Sequence, residues 1–282
     1  MIKNEFETGQ YLDLGGERLY ALTFRSEAPA AWVVLCGPFP SDRLYSLAAW
    51  AKWARYLAGH DLAAVRFDYS GTGESTGRFE DQDFDKWLRD VEWMAAWAAG
   101  QSGGRPVLLH GLGMGGLLAQ KAFAAGRGDG LLMWSPPQQG LDVLKQGLML
   151  RLSMDMLLFR MSDRKSAKDY IQDLKSGGTV QIDGYSWSGA LWTTGEQMAL
   201  DKAYACPGEG VEEGSGRPWR HVVLDDGLSP LVKSQSMLRA MNPRAAVVPS
   251  ARLNRDFTGF FEPNAAWIRG SAENRMIAER HA

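Results

Sequence analysis

The sequence predicts an α/β fold: a mostly parallel sheet with helices on both faces, interrupted by an inserted, mainly helical segment. Three observations carry this. Short apolar runs at 31–35, 62–67, 107–109 and 130–134 alternate with helical patterns at 46–58, 83–99 and 115–125. The run at 107–109 breaks into a glycine-rich turn and passes straight into a small-residue helix. The rhythm stops after Ser135-Pro136-Pro137 and resumes near 221.

Taken in order, 11–14 and 19–24 are short β-type runs joined by Gly15-Gly16-Glu17, a hairpin signal. The run 31–35 is continuously apolar, as a strand buried on both faces requires. It ends at Cys36-Gly37-Pro38-Phe39-Pro40. The helix 46–58 stops at Gly59, and the strand 62–67 leads into the polar loop Asp68-Tyr69-Ser70-Gly71-Thr72-Gly73-Glu74-Ser75. Trp87, Val91, Met94 and Ala95 fall on one face of the helix 83–99. Eleven tryptophans are unusual, and the pairs Trp50/Trp53 and Trp93/Trp97 have the spacing of helix–sheet contacts.

Beyond Pro137 the pattern turns helical. The span 141–161 is rich in methionine (Met149, Met154, Met156, Met161), 166–174 is a shorter helix, 179–182 a short strand, and 192–203 helical again. Residues 207–218 read as a loose loop, followed by strand 221–224, helix 230–241, strand 245–248 and helix 263–280. This order divides the chain into an α/β core at 1–137 and 217–282 and an inserted cap or lid at 138–216.

Composition excludes several classes. The chain has 282 residues, 45% hydrophobic and 23% charged, with a formal charge of −2, so nothing favours nucleic acid. No uncharged apolar run reaches the ~20 residues of a membrane span. The start, Met1 to Glu7, lacks the apolar core of a signal peptide. Two cysteines, Cys36 and Cys206, make no disulfide framework, which fits a reducing cytoplasm. No cofactor and no metal is expected.

The turn His110-Gly111-Leu112-Gly113-Met114-Gly115-Gly116 matches two patterns. With serine in place of Gly113 it would be a Gly-x-Ser-x-Gly nucleophile elbow. As Gly111-x-Gly113-x-x-Gly116 it also fits the dinucleotide fingerprint. That motif wants an acid at the end of the next strand, where Trp134-Ser135-Pro136 stands instead, and several strands precede it.

The order of elements resembles the α/β-hydrolase superfamily over nearly the whole chain. The loop from Arg66 to Ser75 is similar to an Asp-x-Arg-Gly-x-Gly-x-Ser loop of serine-hydrolase relatives. Trp134-Ser135-Pro136 with Gly140, and Asp183-Gly184-Tyr185, resemble more narrowly the exosortase-A-system-associated hydrolases, bacterial proteins found beside exopolysaccharide and protein-sorting genes. The resemblance implies a Ser-His-acid triad and two oxyanion N–H donors, which map onto Phe39 and Met114.

Carried across residue by residue, that triad is depleted. Gly113 stands at the nucleophile position. The acid position aligns with Ser229, with Asp225 and Asp226 as neighbours able to substitute. No histidine lies between Val222 and Arg280, and His281 is the penultimate residue. Glycine at an elbow relieves the strain that a serine bears at φ > 0. The expectation is a protein that binds a small apolar or acyl ligand, or a protein partner, without cutting it. An active hydrolase or acyltransferase with a displaced set remains the alternative, with Cys36 and His110 at the ends of neighbouring strands as its candidate dyad. Asp68 and Glu74 are expected to brace the oxyanion turn, and Ser70 and Ser75 to bond within their own loop. The Met-rich helix would line the cleft or pack the cap against the core.

Overall fold

The structure is a computed structural model and describes residues 7–224 and 258–281. The chain opens with the antiparallel hairpin β1 (Glu7–Leu14) and β2 (Glu17–Phe24). There follow β3 (Ala31–Cys36), α1 (Pro40–Ala58), β4 (Leu62–Phe67), α2 (Phe84–Gln101), β5 (Val107–Leu112), α3 (Met114–Ala124) and β6 (Gly130–Trp134). Next come α4 (Gly140–Leu158), α5 (Ala167–Lys175), the hairpin β7 (Val180–Ile182) and β8 (Tyr185–Trp187), and α6 (Gly189–Gln197). The strands β9 (Gly208–Val211) and β10 (Pro218–Val222) and the helix α7 (Thr258–His281) complete the described chain.

Eight strands make one sheet in the order β1-β2-β4-β3-β5-β6-β10-β9. The run from β4 to β10 is parallel, while β1, β2 and β9 are antiparallel to their neighbours. The central strands β3, β5 and β6 are buried along their whole length, and β5 departs from apolar text only at His110 and Gly111. Alternation along them feeds two cores. Trp32, Val34, Leu109 and Met133 join Trp87, Leu117 and Phe123 on one face. Leu35, Leu108, Leu132 and Trp134 join Trp50, Trp53 and Phe261 on the other. The elements from α4 to α6 share the first of these cores through Leu144, Leu148, Trp187 and Trp192.

Local chemistry explains the boundaries. Asp83 caps α2 by accepting from the Lys86 amide, and Ser166 opens α5 in a reciprocal capping box with Asp169. α1 begins six residues before the predicted 46, because Pro40 at the first helical position has its φ preset for a helix. Two strands were absent from the sequence reading. The supposed loop 207–218 contains β9, a short edge strand whose two glycines and one glutamate disfavour a strand, held by its register with β10. β8 pairs with β7 across Asp183-Gly184, both at positive φ (49° and 84°), a two-residue hairpin turn. The predicted helix 230–241 and strand 245–248 lie outside the described residues. Among the described residues no helix is long and apolar enough to cross a membrane.

Candidate functional site

The strand β5 ends at Leu112 and α3 begins at Met114, so Gly113 alone makes the turn. Its backbone sits at φ 56° and ψ −125°, a conformation that L side chains rarely adopt and glycine takes freely. Its amide donates to Trp134 O at 2.9 Å and its carbonyl accepts from the Gly116 amide at 2.9 Å. The flanking glycines are required by close approach. A Cβ on Gly111 would lie 2.2 Å from Gly115 O, and one on Gly115 would lie 2.1 Å from Cys36 O. Of the Gly-x-Gly-x-x-Gly glycines, Gly111 is required by the close approach of the Gly115 backbone and Gly116 packs on Pro136, where a Cβ would lie 3.1 Å from Pro136 Cβ, so protein atoms fill the space beside both.

Facing the elbow is the turn after β3. Phe39 precedes α1, and its carbonyl accepts from the amides of Asp42 and Arg43. Among the described residues no acceptor takes the amides of Phe39 or Met114, the two expected oxyanion donors. Both residues are 1% exposed, and Gly113 is buried. The Phe39 ring is clamped edge-on between Trp87 of α2 (5.9 Å) and Trp187 of β8 (5.6 Å). The turn is held from below as well, since Tyr69 Oη donates to Gly37 O at 3.0 Å. A cavity of about 20 Å³, room for a single water, lies beside it against Gly37, Pro38, Trp50 and Asp68.

The loop after β4 is a polar brace. Asp68 takes two hydrogen bonds from Arg43 Nη2 (2.6 and 2.7 Å) and one from the Glu74 amide (3.0 Å). Asp68 thus ties the loop to α1, while Glu74 reaches it through its backbone and makes no paired carboxylate with it. Ser75 Oγ donates to Asp68 O, and Ser70 donates its amide and hydroxyl to Asp90, which is 2% exposed. Burial pushes the Asp90 carboxyl up to about 7, with the Ser70 hydrogen bonds pulling the other way. Arg43, Tyr69 and Asp90 escaped the sequence reading because their roles depend on partners far away in sequence. Ser135 escaped it too. It stands at φ 44° after β6, and its Oγ accepts from the Leu224 amide at 2.8 Å, joining the ends of β6 and β10 beside the elbow.

The Cys36/His110 dyad does not form. Cys36 is in register with Gly111, and His110 with Leu35. Successive side chains alternate faces, so the thiol joins the core with Met114 and Leu117 while the imidazole points the other way. His110 lies against Trp134, Trp50 and Trp53 at centroid distances of 4.4, 5.0 and 5.8 Å. Its Nδ1 bonds Leu132 O at 2.9 Å, and burial pushes its pKa down to about 3. Burial likewise pushes the Cys36 thiol far up. His221 is bound within the sheet edge to Tyr204 O at 2.9 Å, and His60 to Tyr56 O at 2.7 Å at the far end of α1. None of these three imidazoles is placed as a base for Gly113. The acid candidates Asp225, Asp226 and Ser229 lie outside the described residues. Among the described residues no cluster of three or more histidine, cysteine or acidic side chains could hold a metal.

This geometry can be set beside known proteins. The family described as serine aminopeptidase, S33 matches residues 21–172, more than half of the chain. No curated protein matches it. Among solved structures it is similar to Est1E from Butyrivibrio proteoclasticus, seen with ferulic acid bound. Identity is 18% and the TM-score 0.52, over 82% of this chain and 99% of that one. It is also similar to XC6422 from Xanthomonas campestris, a serine hydrolase without a lid, at 21% identity and TM-score 0.42, over 47% of this chain and 62% of that one. The chain thus spans less than two thirds of the Xanthomonas protein, and 65% of a serine hydrolase homologue from Coxiella burnetii. At 18% identity the likeness to Est1E speaks for the fold alone.

Proposed function

Because the chain belongs to the serine aminopeptidase S33 family of α/β-hydrolase-fold proteins, and its elbow carries glycine where that fold needs a nucleophile, we propose that it is a non-catalytic member, a pseudo-hydrolase. In this reading residues 138–216 form a cap over a core of 1–137 and 217–282. An acyl or other apolar carbonyl ligand, or a protein partner, is held at the covered elbow. The observation that carries it is Gly113 at φ 56° with no side chain to attack a carbonyl. The amides of Phe39 and Met114, which no acceptor among the described residues takes, support carbonyl binding, since such donors polarise a C=O whether or not anything attacks it. The resemblance of Trp134-Ser135-Pro136 and Asp183-Gly184-Tyr185 supports a setting in bacterial exopolysaccharide or exosortase systems, and the cysteine usage a cytoplasmic one.

Family membership favours a second reading, an active hydrolase or acyltransferase whose catalytic set includes Asp225, Asp226 or Ser229. A native mass spectrum of the purified protein separates the two. A solvent-extractable mass excess identified as a carbonyl-bearing molecule supports the binding reading. A bare polypeptide mass together with turnover of short-chain p-nitrophenyl esters overturns it.

A further inference from the structure

The Met-rich helix α4 differs from expectation in its second half. Its first half is buried through Leu144 and Leu148, but Met149, Met154, Met156, Leu157, Leu158, Phe159 and Met161 are 37–81% exposed. Seven of the twelve exposed large hydrophobics among the described residues therefore fall within thirteen positions. From 156 to 166 every residue is exposed, so this end of α4 and the turn after it project from the body as an apolar tip.

The tip is rigidly built and basic. Arg151 pairs with buried Asp155 at 3.0 Å and donates to Gln181 O at 3.1 Å, and Tyr170 Oη donates to the same aspartate, anchoring α4 to α5 and β7. Arg164 closes the helix end by donating to Phe159 O (2.9 Å) and Met156 O (2.8 Å), which sets its cation among the exposed apolar side chains. Residues 149–168 hold five bases (Arg151, Arg160, Arg164, Lys165, Lys168) against two acids (Asp155, Asp163), in a chain whose net charge is −2. Among the described residues Arg160 and Arg164 enter no ion pair, while Lys168 interacts electrostatically with the adjacent Asp169.

We propose that this tip docks the protein on an anionic lipid bilayer, Met156, Leu158 and Met161 entering the acyl boundary and Arg160, Arg164 and Lys168 meeting the headgroups. Exposed methionine, leucine and phenylalanine ringed by long cationic side chains is the chemistry of an interfacial anchor. The same charges disfavour a second copy, because apposed tips would bring like cations together. α4, 19 residues and therefore ~28 Å long, then runs from the neighbourhood of the elbow to the membrane surface. The proposal goes beyond the pseudo-hydrolase reading and does not rest on it, since vesicle binding is read without turnover.

The test is flotation with phosphatidylcholine vesicles, alone or with about one third phosphatidylglycerol. The wild type should float with the anionic vesicles about tenfold more than with neutral ones, and less at high salt. Met156→Ser/Leu158→Ser/Met161→Ser and Arg160→Glu/Lys168→Glu should each lower flotation about tenfold with unchanged melting temperature, while Val211→Ser, an exposed apolar control elsewhere, should not. Failure of the wild type to float, equal flotation of the tip variants, or a wild-type dimer that the serine variant makes monomeric would each overturn the proposal.

Discussion

Cys36 and His110 lie on adjacent strands one register step apart, Cys36 opposite Gly111 and His110 opposite Leu35, and that single step sends the thiol and the imidazole to opposite faces of the sheet. The thiol is fully buried and its pKa pushed far up, whereas Cys206 is exposed. Iodoacetamide on the native protein should therefore alkylate Cys206 and leave Cys36 unmodified until denaturant is added. Peptide mass spectrometry reads this directly. Native labelling of Cys36 would mean that the floor of the elbow opens to solvent.

The Arg43–Asp68 pair should be the main tether between the loop after β4 and α1. Asp68 is 6% exposed, so removing its partner strands a buried charge. Arg43→Met should lower the unfolding free energy by about 2–4 kcal/mol, measured by urea denaturation. Adding Asp68→Asn should cost less than the two single changes together, by about 1–2 kcal/mol. Additive losses would show that the pair is not coupled.

Asp90 gives the protein a signed pH response. Its folded pKa of about 7 exceeds the ~4 of an unfolded aspartate. Between those values the native state holds a proton that the unfolded chain has released, so this term loses stability as pH rises from about 4 to about 7. His110 acts in the opposite sense. Its folded pKa of about 3 lies below ~6.5, so its contribution is present above pH ~6.5 and lost as pH falls toward 3. Asp90→Asn mimics the protonated acid toward Ser70 and should raise stability at pH 8 by about 1 kcal/mol or more while changing little at pH 4. Denaturation curves at the two pH values check it.

Restoring the hydroxyl should not restore chemistry. Gly113→Ser would place a side chain at φ 56° and should destabilise the fold by about 1–3 kcal/mol. Ester turnover should stay at background, because among the described side chains the imidazoles of His60, His110 and His221 are all engaged elsewhere. A rise in esterase rate above ~10²-fold would reveal a base in reach of the new serine.

Most of the sheet was legible because its signal is local. The runs 62–67 and 130–134 match β4 and β6 residue for residue, since β6 is unbroken apolar text and β4 departs from it only at the half-buried Arg66. β9 was not legible: Gly-Glu-Gly-Val is a strand only because β10 pairs with it. The elbow's shape could be read from Gly111, Gly113 and Gly115, but the Cys36–His110 relationship could not, because it depends on a register that pairing sets and text does not. The methionines of α4 look alike in the sequence whether they fill a core or face solvent. Their exposure follows from Arg151, Asp155 and Tyr170 fixing where α5 lies.

The central claim is that Gly113 leaves a hydrolase fold without hydrolase chemistry. Its most direct test is incubation of the native wild-type protein with a fluorophosphonate probe, read as intact mass. The account predicts no covalent adduct and no phosphonylated serine. A stoichiometric adduct that heat denaturation abolishes would contradict it, and the labelled peptide would name the nucleophile.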